Sequence, residues 1–251
     1  MRVLVTRPQP QADEWVARLR AEQVDAQALP LLEIGDPADA GPVRAAWRAL
    51  AGEALVVFVS PNAVARFFAL KPTDAAWPAG TRAGATGPGT SAALLAAGVP
   101  ASAIVEPPAE AGQFDSEALW ACLAPLRDWR GARVLIVRGE GGRDWLAAAL
   151  QAQGANLRFV EAYRRIAPRL DGAGRALLAD AIARPAGHLW LFSSSEAVGH
   201  LGALAPGAEW TQARAFASHP RIAATARTLG FGHVMQVGPA FSVVLQALRE
   251  G

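Results

Sequence analysis

The sequence predicts an α/β protein of two similar lobes, each built on a five-stranded parallel sheet wrapped by helices. Short apolar, β-branched runs alternate along the chain with alanine-rich amphipathic stretches, the pattern of parallel strands joined by crossover helices. The second half also repeats the first, at an offset of about 130 residues. Val3-Leu4-Val5-Thr6-Arg7 returns as Val134-Leu135-Ile136-Val137-Arg138, and Phe58-Val59-Ser60 as Phe192-Ser193-Ser194. Arg82-Ala83-Gly84-Ala85, followed by Pro88 and Gly98, returns as Arg214-Ala215-Phe216-Ala217, followed by Pro220 and Gly230. The pairs keep their order, so a duplicated unit is implied, and two similar halves imply a cleft between them.

The strand pattern falls at Arg2 to Thr6, Ala26 to Leu31, Leu55 to Ser60, Arg82 to Thr86 and Ala103 to Glu106 in the first half. It falls at Arg133 to Arg138, Leu157 to Ala162, Leu189 to Ser193, Ala213 to Ala217 and His233 to Val237 in the second. Helices fit the intervals: Gln11 to Glu22, Gly41 to Ala51, Asn62 to Leu70, Thr90 to Ala97, Asp115 to Leu123, Arg143 to Gln153, Gly172 to Arg184, Ser195 to Leu204, Arg221 to Leu229 and Ala240 to Arg249. Gly98, Gly154 and Gly230 stand just past helix ends, where a left-handed cap favours glycine. Glu33 to Pro42, Pro107 to Gly112 and Ala167 to Gly174 are punctuated by Pro and Gly and read as loops or boundaries. The first and third could be paired crossings between lobes; periodicity alone could equally cut the chain into contiguous halves near residue 125.

Composition narrows the function. At 251 residues with 52% apolar content, the chain can pack one or two domains. No apolar run approaches the roughly 20 residues of a membrane span, and Met1 leads into a strand pattern without a signal-peptide layout. A cytoplasmic protein with no membrane partner is expected. The single cysteine, Cys122, reads as an inert core residue. Lys71 is the one lysine among 24 basic residues, so lysine chemistry of the Schiff-base or phosphate-loop kind is nearly excluded, while forked recognition of anions by arginine is widely available. No dense arginine block interleaved with aromatics argues for nucleic acid.

Five strand ends run into turns rich in Ser, Thr or Gly that open a helix: Ser60-Pro61-Asn62, Thr86 to Thr90, Gly139 to Gly142, Ser193-Ser194-Ser195 and Ser218-His219-Pro220. In parallel sheets such turns share the carboxyl edge, where free N–H groups at helix starts favour anions. Each could also be an ordinary N-cap. No glycine turn has dinucleotide-fingerprint spacing, and none is followed by Lys-Ser or Lys-Thr. The four histidines are scattered without cysteine companions, so neither metal nor cofactor is expected. His219 alone stands at a strand-to-helix turn. Tyr163, the only tyrosine, follows a strand and precedes Arg164-Arg165, placing a proton-donating hydroxyl beside two carboxylate-binding groups; an amphipathic ring closing the sheet is the plainer alternative.

Over essentially its whole length the chain resembles the uroporphyrinogen-III synthase family. The similar stretches are Val3 to Pro8, Pro30 to Ile34, Phe58 to Val64, Gly87 to Thr90, Val134 to Arg143, Tyr163-Arg164-Arg165 and Ser218 to Ala223. The resemblance implies cofactor-free cyclisation of linear hydroxymethylbilane, with loss of water and inversion of the terminal pyrrole. It implies two lobes of flavodoxin or Rossmann type joined by two crossing strands: lobe one at residues 1–35 and 167–251, lobe two inserted at 38–165, crossings near Leu31 to Ile34 and Tyr163 to Ile166. Tyr163 matches the tyrosine suggested to help the hydroxyl leave, and Thr90 matches a threonine of lobe two. Ile222 stands where some members carry a second threonine. Ser60, Asn62, Ser194 and Ser195, with Arg138 and Arg143, are the expected contacts for the acetate and propionate arms. The expected partner is a polycarboxylate tetrapyrrole bound by a monomer, with transient contact to the preceding enzyme of the pathway. A non-catalytic two-lobed binder of small carboxylates is the alternative.

Overall fold

The computed structural model describes residues 1–108, 115–141 and 145–250. Along these the elements are β1 (Arg2–Val5), α1 (Gln11–Ala21), β2 (Ala26–Ala28), β3 (Glu33–Gly35), α2 (Gly41–Ala49), β4 (Leu55–Phe58), α3 (Pro61–Ala69), β5 (Arg82–Ala85), α4 (Pro88–Ala96), β6 (Ile104–Val105) and α5 (Ser116–Leu123). There follow β7 (Arg133–Gly139), α6 (Trp145–Ala152), β8 (Asn156–Ile166), α7 (Gly172–Ala183), β9 (His188–Phe192), α8 (Ser195–Leu204), β10 (Arg214–Ala217), α9 (Pro220–Leu229), β11 (His233–Gln236) and α10 (Phe241–Glu250). The chain divides into two compact units, Met1–Ile34 with Ile166–Gly251, and Gly35–Arg165. None of the described helices is long and apolar enough to cross a membrane.

The first unit holds a five-stranded sheet in the order β11-β10-β9-β1-β2, every pairing parallel. Its central strands are apolar throughout because both faces are covered. Val3 and Val5 of β1, with Leu189 and Leu191 of β9, pack on Trp15, Val16 and Leu19 of α1 and Val244 of α10. The alternate residues Leu4, Trp190 and Phe192 pack on α7, α8 and α9 through Leu177, Leu201 and Ala226. Trp190 is fully buried, edge-on to Trp210 at 5.6 Å; truncating such a side chain to alanine typically costs about 3–5 kcal/mol.

The second sheet has six strands rather than the expected five, in the order β3-β8-β7-β4-β5-β6. The sixth, β3, arises from Glu33 to Gly35, which composition marks as the start of a loop. β8 is also longer than expected, running eleven residues to Ile166 instead of stopping at Ala162. A strand that long would expose a row of unpaired backbone groups at the sheet edge, and β3 covers part of it; Gly35 and Pro37 end that cover rather than prevent it. Leu55 and Val57 of β4 with Val134 and Ile136 of β7 pack on α5 and α6. On β4, Phe58 meets Phe67 of α3 at 5.5 Å, and Phe67 stacks on Trp47 of α2 at 4.7 Å. Cys122 is half-buried on α5 rather than a core residue.

The repeat maps onto the sheets in an exchanged way. Equivalent stretches occupy equivalent strands, β1 with β7, β4 with β9 and β5 with β10. Yet β1 and β2 of the first copy pair with β9 to β11 of the second, while β7 and β8 of the second pair with β4 to β6 of the first. A contiguous cut near residue 125 therefore does not describe the sheets.

Charges at the amino ends of the strands are compensated. In the second unit the buried carboxylate of Glu53 accepts hydrogen bonds from Arg133 at 3.2 Å and from Arg158, and the Glu53 carbonyl accepts one from the Thr81 hydroxyl at 3.0 Å. In the first unit Asp180 of α7 accepts from Arg184 Nε at 2.7 Å and lies 3.3 Å from His188 Nε2 at the start of β9. The hydrogen bond from Arg184 holds the Asp180 carboxyl below its ordinary 3.8. A carboxylate with a depressed folded value adds stability that is complete above the unfolded value and is lost as pH falls through the folded one. Asp180→Asn is therefore expected to lower the urea midpoint at pH 7, and the two proteins should converge as the pH drops below 3.8. A gap that persists undiminished in acid would contradict this.

Candidate functional site

At the carboxyl edge of the second unit the apolar strand β4 gives way to Ser60-Pro61-Asn62. Ser60 adopts extended backbone and its Oγ accepts the Ala63 N–H at 3.2 Å, an N-cap. Pro61 takes the first helical position, where a missing N–H is harmless, and Asn62 is half-buried behind it. Next along the edge, Pro88 opens α4, two residues earlier than expected, which places Thr90 inside the first turn and only 3% exposed. A Cβ added to Gly89 would sit 3.6 Å from the Pro61 ring, so the starts of α3 and α4 abut. The neighbouring Ser91 Oγ is buried without a hydrogen-bond partner among the described residues.

Tyr163 is brought to this edge by an irregularity in β8. The β7 register runs Arg138 to Glu161 and then Gly139 to Tyr163, skipping Ala162. Two successive residues, Ala162 and Tyr163, are consequently both buried, Tyr163 at 4% exposure. A bulge re-aims a side chain in this manner. The Tyr163 ring lies against Gly139 so closely that a Cβ there would approach its Cε2 and Cζ to 2.6 Å. The Glu140 N–H donates to the Tyr163 carbonyl at 3.0 Å. The phenol oxygen ends 3.2 Å from Ser60 Oγ.

The arginines near this edge are otherwise occupied. Arg138 stacks its guanidinium over Phe159, 4.5 Å from the ring centre. Arg164 Nε donates to the Asp36 carbonyl at 3.1 Å and Arg165 to the Glu140 carbonyl at 3.2 Å. Arg143 lies outside the described residues.

In the first unit, Ser194 caps α8 by accepting the Glu196 N–H at 3.1 Å. The Ser195 Oγ is buried and has no hydrogen-bond partner among the described residues. His219 is a cap as well, its Nδ1 accepting the Arg221 N–H at 3.1 Å. Ile222, third residue of α9 as Thr90 is of α4, points into the core. The same edge contains Arg7, Ser193 and Ser218 around a shallow recess with room for only about 20 Å³. Arg7 was visible in the sequence as the end of a repeated strand and within the Val3 to Pro8 stretch of the resemblance, with no site role attached. Its placement beside two serine turns depends on which strands pair.

The structure thus juxtaposes Tyr163 with Ser60 and the starts of α3 and α4, and separately gathers Ser194 and Ser195 with further hydroxyls on the first unit. A family model described as Uroporphyrinogen-III synthase HemD matches residues 13–241. The chain belongs to the uroporphyrinogen-III synthase family. The uroporphyrinogen-III synthase of Escherichia coli is 38% identical to it over 181 residues, and that of Salmonella typhimurium 35% over 178, each match covering 70% of both chains. Among solved structures, the uroporphyrinogen-III synthetase of Helicobacter pylori aligns with a TM-score of 0.60 at 14% identity, over 100% of this chain and 99% of that one. A mutant uroporphyrinogen III synthase from Thermus thermophilus aligns at 0.58 and 20% identity, over 100% and 98%. At those identities the two structures show a shared fold.

Within this family member the Gly139 contact offers a direct handle on Tyr163. Gly139→Ala should push the ring off its seat, at an overpacking cost of about 1–3 kcal/mol. Because Tyr163 is the only tyrosine, its ring NMR signals identify themselves; they should shift strongly in Gly139→Ala while the urea midpoint falls modestly. An unmoved tyrosine spectrum would contradict the close contact.

Proposed function

We propose that the chain is a hydro-lyase that closes linear hydroxymethylbilane into uroporphyrinogen III, with loss of water and inversion of the terminal pyrrole, in tetrapyrrole synthesis. The family match supports the reaction, and the observation that carries the mechanism is the Tyr163 hydroxyl 3.2 Å from Ser60 Oγ. Ser60 Oγ already accepts the Ala63 N–H, so its own proton is available to the phenol oxygen. The Tyr163 proton is then free to point at a substrate.

The chemistry asks for little more. An electron-rich pyrrole pushes its nitrogen lone pair toward the hydroxymethyl carbon; the C–O bond breaks as Tyr163 supplies the proton, and water leaves. The Ser60 hydrogen bond, reinforced by low local dielectric, steadies the phenolate that remains. For inversion the new bond forms at the α-carbon of the terminal pyrrole that already carries a methylene bridge. The old bond from that carbon to the bridge breaks, the bridge rejoins at the pyrrole's free α-carbon, and the proton lost from that carbon restores the phenol. No oxidant or cofactor enters the balance. The azafulvene closes unaided to the uninverted isomer, so the larger task is to hold the chain in the rarer geometry, a matter of positioning. Carboxylate arms offer the anchors, and the hydroxyls and helix-start N–H groups of Ser60, Asn62, Thr90, Ser194 and Ser195 suit them, with Arg138 and Arg143 as additional cations.

Incubating the protein with freshly prepared hydroxymethylbilane and separating the isomers tests the reading directly. The inverted isomer should dominate; only the spontaneous macrocycle would leave a carboxylate binder as the remaining reading. General acid assistance is typically worth roughly 10²–10⁴ in rate, and a leaving group this ready should need less. Tyr163→Phe is expected to lower kcat by about 10- to 100-fold with the fold intact. Undiminished turnover would remove Tyr163 as proton donor without touching the family assignment.

A further inference from the structure

The two arginines that follow Tyr163 are offered by residue type as carboxylate binders, yet the fold turns both onto backbone. β8 lies between β3 and β7, and each arginine reaches one flank. Arg164 Nε donates to the carbonyl of Asp36, just past β3, at 3.1 Å, and Arg165 Nη2 to that of Glu140, just past β7, at 3.2 Å. Arg164 is exposed and Arg165 half-buried, in keeping with alternation along a strand. Tyr163 and Arg165 therefore share a face of β8, and both lean over the end of β7.

That end of β7 is the seat of the phenol ring. A Cβ on Gly139 would come within 2.6 Å of Tyr163 Cζ, so the ring rests directly on the glycine backbone. The next residue is gripped at both of its backbone groups: the Glu140 N–H donates to the Tyr163 carbonyl at 3.0 Å, and the Glu140 carbonyl accepts from Arg165. Gly141 then takes a left-handed conformation, φ 69°, and the chain turns away immediately beyond that carbonyl. The pairing of β7 with β8 ends at Gly139 opposite Tyr163, and a segment beyond its last pairing opens easily. A hydrogen bond from a guanidinium is roughly twice as strong as a neutral one, and here it closes the corner against which the ring is set.

We infer that Arg165 is a positioning residue for Tyr163: by holding the Glu140 carbonyl it fixes the Gly139 seat, and with it the place of the phenol oxygen beside Ser60. The kinetic half of this inference rests on the reading of Tyr163 as proton donor; the structural half is read without turnover. In the substrate-free protein Arg165→Gln should shift the ring NMR signals of the single tyrosine, whereas Arg164→Gln, which releases only the Asp36 carbonyl, should leave them nearly in place. With hydroxymethylbilane, Arg165→Gln should lower kcat by about 10- to 50-fold, since a misplacement of about 1 Å can cost roughly 10² in rate, with KM within about twofold of wild type. Unmoved ring signals, or an equal shift in Arg164→Gln, overturn the assignment. So does a KM raised about tenfold or more at undiminished kcat, the mark of a cation that binds substrate instead. Should Arg165→Gln not fold, Arg165→Lys decides by the same readouts, because it keeps the charge but lacks the reach and the fork. If Tyr163→Phe turns over like the wild type, the proton-donor reading fails alone: shifted ring signals in Arg165→Gln still support the brace on the ring, and unmoved ones overturn it.

Discussion

Two backbone pairings govern everything else in this chain: β1 against β9, Arg2 opposite His188 through Val5 opposite Leu191, and β4 against β7, Leu55 opposite Val134 through Phe58 opposite Val137. Each joins a strand from one copy of the repeat to a strand from the other. Because all these strands are parallel, their carboxyl ends line up, and turns far apart in the chain become neighbours. The Thr6 hydroxyl donates to the Leu191 carbonyl at 2.6 Å across the first pairing, which sets Arg7 beside Ser193. In the second unit β4 beside β7, and β7 beside β8, set Ser60 against Tyr163 over 103 positions of sequence. Without the exchange of strands neither pair of residues would meet.

The two edges of each sheet carry opposite electrostatic designs. At the amino edge charges are matched, Glu53 by Arg133 and Arg158 and Asp180 by Arg184. Glu53 is buried, so removing its arginine partners would leave a buried carboxylate uncompensated, whereas the Asp180–Arg184 pair is exposed. At the carboxyl edge the groups are mainly hydroxyls and helix-start N–H groups, with Arg7 lying over Trp15. Their hydrogen-bonding capacity is only partly used within the described chain, as the buried oxygens of Ser91 and Ser195 illustrate.

Sequence patterning exposed most of this architecture because strands covered on both faces must be apolar and helices between them amphipathic; all ten helical stretches and the positions of ten strands were legible. The elements that escaped it are those whose reasons are not local. β3 is three residues with Gly35 at its end, and it is a strand only because β8 offers an open edge. The strand pattern alone stops at Ala162, and the extension through Tyr163, Arg164 and Arg165 was expected only from the family resemblance, as a crossing strand. Thr90 and Asn62 looked like helix openings, but proline at the first helical position moved the starts upstream. Arg7 and Arg138 end equivalent repeated strands, yet one lies over Trp15 beside two serines and the other over Phe159. Repetition of residue type did not reveal the difference in surroundings.

In the proposed reaction an easy leaving group still demands rigid placement of Tyr163. A phenol that merely reached solvent could protonate the hydroxyl, but it would do so whatever the conformation of the chain, and the uninverted product would form. Here the phenol is 4% exposed, backed by a glycine that admits no Cβ, and fixed at its carbonyl by Glu140. On the proposed mechanism, Tyr163 delivers its proton only to a substrate already held in one orientation at this edge. On that proposal selectivity follows from where the acid sits rather than from how strong it is: the arms must place the hydroxymethyl carbon at Tyr163 before ionisation, since the azafulvene formed there closes too readily to be repositioned afterwards.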